Sequence, residues 1–255
     1  MAQSLIWSAL GTGFAFLMTV SGAATVFLFR EKINEGLQKI FLGFASGIMI
    51  AASVWSLMIP AIEQAAEDGM LPWIPAAAGF LLGGLFLLVV DDIFVRCTEK
   101  RNRVNLLVFA VTLHNIPEGM AIGLAFALAA QNMAQTELYA AAFALALGIG
   151  VQNFPEGAAV SLPLRQEGMS AGKAFAFGVL SAAVEPLFGM AVVLVSGLIR
   201  PAMPWLLSFA AGAMIYVVVE ELIPEANDGG CSHRGTVGSI AGFLLMMVLD
   251  VALSL

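Results

Sequence analysis

The chain has 255 residues, of which 60% are hydrophobic and only 11% charged, and its mean hydropathy is +0.93. A soluble domain carries about a quarter charged residues, so this composition excludes one and points to an integral membrane protein. The net charge of −7 argues against a nucleic-acid partner, and two cysteines, Cys97 and Cys231, supply no disulfide framework or zinc-finger spacing.

The first apolar run, about 5–29, has no Lys or Arg before Arg30. It lacks the positive segment of a secretory signal and is expected to stay as the first transmembrane helix. Seven further runs reach the roughly 20 residues that a bilayer crossing needs: about 40–62, 73–95, 105–130, 138–162, 172–198, 203–225 and 236–254. The prediction is one all-α integral membrane domain over residues 1–255 with eight transmembrane helices, because lipid cannot satisfy open strand edges.

The connecting loops set the orientation. Ten of the 11 Lys and Arg (Arg30, Lys32, Lys39, Arg96, Lys100, Arg101, Arg103, Arg165, Lys173 and Arg234) fall at odd-numbered loops, and only Arg200 falls at an even one. The positive-inside rule then puts odd loops in the cytoplasm and both termini outside.

Two segments repeat. "FASGIMIAASVWSL" (44–57) in the second span matches "FAAGAMIYVVVEEL" (209–222) in the seventh, and "AGFLL" (78–82) in the third recurs at 241–245 in the eighth. Both pairs are five spans apart, so the copies run in opposite directions. Spans 1–3 are thus expected to form an inverted repeat with spans 6–8, with spans 4 and 5 as a central antiparallel pair.

That central pair carries two related hexapeptides, "HNIPEG" (114–119) and "QNFPEG" (152–157). His114 and Glu118 lie at i,i+4 and share a helix face, as do Gln152 and Glu156; Asn115 and Asn153 stand at i,i+3 to the same glutamates. Pro117 and Pro155 remove backbone donors and free carbonyls near Leu113 and Val151. Gly119 and Gly157 permit close helix approach.

No Lys or Arg lies deep in a span, but Glu118, Glu156, Glu185, Glu220 and Glu221 do. A lone ionised carboxylate in hydrocarbon costs several kcal/mol, which leaves protonation, a water-filled path or a bound cation as compensation. One imidazole, carboxylates and amides form an N/O donor set suited to Zn²⁺, Fe²⁺, Mn²⁺, Co²⁺ or Cd²⁺, and glutamates reaching into both halves could bridge two metals. Glu221, and less so Glu220, read as path residues toward the inner side. Glu63 and Asp250 lie toward the outer side, where acidic groups draw cations in. Cys231 and His233 make a C-x-H in a predicted cytoplasmic loop, a weak metal-handling signal.

These residues resemble the ZIP family of divalent-metal transporters, in particular its prokaryotic GufA-like branch. The resemblance spans the whole chain and rests most heavily on the paired H-N-x-P-E-G-type motifs. It implies a binuclear centre, with one metal held by His114, Glu118, Gln152, Glu156 and Met49, and another by Asn115, Glu118, Asn153, Glu156 and Glu185. It also implies Glu221 at the inner exit, Glu63 and Asp250 at the outer entrance, and an elevator-like movement of the metal-carrying bundle. Two departures stand out. Gln152 replaces a histidine found in many relatives, and Asn153 stands where GufA-like members can have an aspartate.

The expected activity is secondary import of a divalent metal, zinc first, into the cytoplasm of a prokaryote across its inner (plasma) membrane. The metal is cargo, no organic cofactor is expected, and partners are the lipid bilayer and a second copy in a homodimer. An intramembrane metalloprotease is the enzyme alternative, but H-x-x-x-E is not H-E-x-x-H and no second motif histidine is present. A passive cation channel is the other alternative. No P-loop is present to support direct ATP hydrolysis.

Overall fold

The computed structural model describes residues 2–28, 35–97, 103–131, 136–166, 168–198, 200–228 and 233–253. Arg30, Lys32, Lys100, Arg101 and Cys231 lie outside these residues, and so does the side chain of His114, although its backbone is helical. Among the described residues there is no strand. The helices are α1 (Ala2–Ala23), α2 (Glu35–Ala52), α3 (Ile59–Glu67), α4 (Trp73–Cys97), α5 (Arg103–Gln131), α6 (Thr136–Gln166), α7 (Ala171–Ala182), α8 (Val184–Leu198), α9 (Met203–Val217), α10 (Ile223–Asn227) and α11 (Arg234–Leu253).

Seven helical stretches in the described residues are long and apolar enough to cross a membrane. They match seven of the eight predicted spans. The remaining one, α5, runs for 29 residues, long enough at 1.5 Å per residue, but it carries the polar first hexapeptide and is not among the seven. Its Met120–Ala129 stretch is buried, so neighbouring helices surround it. The outer surface is apolar: Leu81, Leu82, Leu85, Phe86, Leu88 and Val89 of α4 are all about half exposed, as lipid contact requires.

Small residues set the helix pairing. Gly43 and Gly47 of α2 leave no room for a Cβ against the Gly235 and Ser239 carbonyls of α11, and Gly83 of α4 and Gly212 of α9 meet in the same way through the Phe209 and Phe80 carbonyls. Gly22 of α1 and Gly157 of α6 abut the Phe154 and Thr19 carbonyls, and Gly119 and Gly123 of α5 abut Glu185 and Gly189 of α8. This is the close backbone approach that drives helix association in lipid. Exchanging the first three spans with the last three, and the fourth with the fifth, maps α2–α11 onto α9–α4 and α1–α6 onto α8–α5. The pairing therefore has the symmetry that the internal repeat anticipates.

Three predicted spans are interrupted. The second continues from α2 into α3 through a π-helical turn at Ser53–Met58, and the seventh from α9 into α10 through another at Val218–Leu222. Each turn is followed by Ile-Pro, at 59–60 and 223–224. A proline ring clashes with the carbonyl four residues back, and a widened turn relieves that clash. The third interruption lies at Ala183, between α7 and α8, just before Pro186. By contrast, Pro117 and Pro155 sit inside continuous helices.

Candidate metal centre

The two hexapeptides meet where α5 crosses α6, and each motif glycine explains how a third element joins them. Gly119, beside Glu118, lies against the backbone of Glu185, while Gly157, beside Glu156, lies against the Thr19 carbonyl of α1. The Ala183 break starts α8 at Val184, so Glu185 falls in its first turn. Sequence neighbours of the two motif glutamates thus bring α1 and α8 up to them.

Glu118, Gln152, Asn115, Asn153 and Glu185 are fully buried, and Glu156 nearly so. Gln152 Nε2 donates to Glu118 Oε1 at 2.5 Å, tying one hexapeptide to the other. Glu118, Glu156 and Glu185 lie within electrostatic reach of one another. Asn115 Nδ2 donates to the Ser181 carbonyl at 2.9 Å, and Asn153 Nδ2 to the Ala15 carbonyl at 3.5 Å. Thr19 Oγ1 donates to Glu185 Oε1 at 3.3 Å.

After these bonds, five buried oxygens have no donor: Asn115 Oδ1, Glu118 Oε2, Gln152 Oε1, Asn153 Oδ1 and Glu185 Oε2. Each such atom in an apolar interior costs about 1–3 kcal/mol. Gln152, Thr19 and Asn153 donate to the carboxylates, yet acceptors still outnumber donors, and such a surplus suits a cation, which satisfies lone pairs without supplying a hydrogen. Among the described residues no three His, Cys, Asp or Glu side chains form a metal cage alone; amide oxygens complete the set.

Met49 is fully buried on α2. It follows Ala45 by one turn, and Leu42, Ala45, Pro155 and Glu156 line a small pocket, with room for about one water, together with Gln38, Phe41 and Ala159. Met49 itself does not line this pocket; it is packed in the apolar core one turn beyond Ala45. Further along, Met246 of α11 packs tightly on Gly148 of α6, closing the interface one turn before Gln152.

The candidate path residues do not join this cluster. Asp250 is buried and accepts from Ser56 Oγ, on the first π-helical turn, at 2.8 Å. Glu63 is exposed on α3. Glu220 and Glu221 occupy the second π-helical turn. Glu220 is exposed, while Glu221 is partly buried within reach of Asp91 and Glu225. Gln38 Nε2 donates to Glu225 Oε1 at 3.4 Å, and Lys39 Nζ donates to the Asp228 carbonyl. His233, of the weak C-x-H, is exposed, and its partner Cys231 lies outside the described residues.

Sequence reading missed Thr19, Ser181 and Ser56. A signal existed for Thr19: it stands 166 residues before Glu185, one step from the 165 that relates the second and seventh spans. The symmetry thus pairs these positions across the site.

A buried, acceptor-rich cluster on two continuous central helices, flanked by interrupted ones, within an all-α membrane protein with an inverted repeat has the architecture of a membrane transporter. A family model described as ZIP zinc transporter matches residues 95–250. Zinc transporter GufA of Myxococcus xanthus is 41% identical over 239 residues, covering 89% of this chain and 91% of that protein. Zinc transporter ZIPB of Bordetella bronchiseptica is 38% identical over 260 residues (97% and 81%). Human zinc transporter ZIP11 is 34% identical over 342 residues, 98% of each. The chain belongs to the ZIP family.

Proposed function

We propose that this protein is a secondary transporter that imports divalent transition-metal cations, zinc foremost, into the cytoplasm. Membership of the ZIP family supports divalent-metal transport, and relatives named zinc transporters support zinc. The observation that carries the reading is the set of donor-less oxygens from Asn115, Glu118, Gln152, Asn153 and Glu185. Met49, His114 and Glu156 complete the binding centre, with Glu118 and Glu156 common to both halves. Glu63 and Asp250 serve the outer approach and Glu220 and Glu221 the inner exit.

The protein crosses a prokaryotic plasma (inner) membrane eight times, with both termini outside, and works as a homodimer. The asymmetric distribution of Lys and Arg supports this orientation. The small pocket that Glu156 lines together with Gln38 supports an approach to the centre from the Gln38 end. The relatives are transporters, and nothing in the site supplies the second histidine of an H-E-x-x-H protease.

The test is uptake into proteoliposomes loaded with a zinc-sensitive dye. Wild type is expected to give saturable uptake, and His114→Ala and Glu156→Ala are each expected to lower it at least tenfold. Unchanged uptake in both variants would remove the site assignment.

A further inference from the structure

The small pocket beside the centre has two residues with polar side chains in its wall, Glu156 of α6 and Gln38 of α2; the rest are apolar. Its α2 wall extends from Ala45 back to Gln38, about 10 Å at 1.5 Å per residue. The second and fifth spans are antiparallel. Stepping from Glu156 to Ala159 on α6, or from Ala45 to Gln38 on α2, therefore leads the same way, toward the predicted cytoplasmic side. Gln38 is tied onward: its Nε2 donates to Glu225 Oε1 of α10 at 3.4 Å, and Glu225 lies within electrostatic reach of Glu221. One amide thus stands between a carboxylate of the centre and those of the inner turn. Its neighbour Lys39 donates to the Asp228 carbonyl, a second tie between α2 and the end of α10, and does not line the pocket.

A pocket with room for about one water cannot pass a hydrated divalent ion. The ion must shed water and take ligands from the wall, as carbonyl oxygens replace a hydration shell in a channel filter. Phe41, Leu42 and Ala45 have no side-chain ligand to give; Glu156 and Gln38 do. Passage also needs stations that bind well enough to accept the ion and weakly enough to release it. Another carboxylate between Glu156 and Glu225 would add charge and hold the ion longer, whereas an amide oxygen is a neutral donor. An ionised carboxylate only accepts, so the bond to Glu225 uses the amide nitrogen of Gln38 and leaves Oε1 as its cation-binding end.

We propose that Gln38 is a cargo-contacting residue of the inner path: its Oε1 takes the divalent cation from Glu156 and passes it to Glu225, beside Glu221. The hand-over is a ligand exchange. The metal–oxygen bond to Gln38 forms as the bond to Glu156 breaks, and Glu225 then gives up its hydrogen bond from Gln38 Nε2 to bind the ion. The proposal rests on the reading that Glu156 holds divalent cargo bound for the cytoplasm. It gives Gln38 control of the release rate and leaves the affinity of the centre to the two hexapeptides.

The test is the kinetics of zinc uptake by the full-length protein in proteoliposomes, with equilibrium Cd²⁺ binding measured in parallel. Gln38→Leu is expected to lower Vmax about tenfold while Cd²⁺ affinity stays within about twofold of wild type, because only a step after binding is lost. Two further variants separate a path role from a structural tie. Gln38→Lys keeps a donor to Glu225 but puts a positive charge on the path, and is expected to be as slow as Gln38→Leu. Gln38→Glu loses the donor but keeps a cation ligand, and is expected to transport faster than either. If Gln38→Leu fails to assemble, Glu225→Gln, which keeps an acceptor for the amide, is expected to show the same drop in Vmax. A wild-type Vmax in Gln38→Leu, or in Glu225→Gln where that stands in, overturns the proposal. So does wild-type transport by Gln38→Lys, which would make the tie to Glu225 the whole role of position 38, and so does a Gln38→Glu as slow as Gln38→Leu. Loss of Cd²⁺ binding in Gln38→Leu overturns it too, by placing Gln38 in the centre itself. Wild type without saturable zinc uptake is a different failure, because it removes the transport reading and this proposal with it.

Discussion

Replacing Gly157 by alanine adds one methyl group and tests how α1 and α6 build the centre. A Cβ on Gly157 would clash with the Thr19 carbonyl oxygen and lie 2.8 Å from Ala23 N and 2.9 Å from the Thr19 carbonyl carbon. All three are backbone atoms and cannot rotate away, so α1 must shift by about 1 Å to restore ordinary contact. Overpacking of this kind costs about 1–3 kcal/mol. The same shift moves Thr19 off Glu185 and Ala15 off Asn153, and misplacing a site group by about 1 Å lowers function on the order of 100-fold. Zinc uptake by Gly157→Ala is therefore expected to fall by about 10- to 100-fold, and its melting temperature in detergent to drop. Gly13→Ala on the facing helix α1 is the control, because nothing lies within 4 Å of its added Cβ. It is expected to keep full uptake and to gain about 0.5–1 kcal/mol of stability, as an alanine does over a glycine in a helix. Wild-type uptake and stability in Gly157→Ala would refute the close α1–α6 packing behind the site.

Gln152→Ala removes the donor to Glu118 Oε1 and one acceptor of the cluster. It is expected to weaken Cd²⁺ binding at least tenfold in calorimetry. Ser56→Ala takes the hydroxyl from buried Asp250 and is expected to cost about 1–3 kcal/mol, read as a lower melting temperature. Leu85→Lys puts a charge on the apolar outer face of α4. An insertion assay is expected to show a penalty of about 2.5–3.5 kcal/mol, whereas a water-facing helix would show none. A cysteine placed at Gln3, after Cys97 and Cys231 are replaced by serine, is expected to react with a membrane-impermeant maleimide from outside intact cells; protection from outside would reverse the orientation.

Much of this molecule was legible in the sequence because lipid imposes a simple grammar. Long apolar runs and basic loops gave the spans, and the 165-residue offset gave a symmetry that the helix pairs obey. The hexapeptides declared themselves because carboxylates in apolar runs are costly. The interruptions were harder to read. Pro60, Pro224 and Pro186 accompany two π-helical turns and a break, yet Pro117 and Pro155 lie in continuous helices, so a proline alone does not say how its helix responds. Which glycines would meet was also hidden, since Gly, Ala and Ser are spread through every span. Thr19 looked like an ordinary helix threonine until α1 was seen to lie against Glu185. Met49 shares a sequence pattern with plain packing methionines, and it lies buried in the apolar core one turn from Ala45, which lines the pocket beside Glu156.

The two hexapeptides are proposed as facing halves of one metal site. Anomalous diffraction from crystals soaked in cadmium tests it most directly. A strong peak is expected between α5 and α6, about 2.0–2.6 Å from oxygens of Glu118 and Glu156. Peaks confined to surface carboxylates, with density between the hexapeptides explained by water alone, would contradict it.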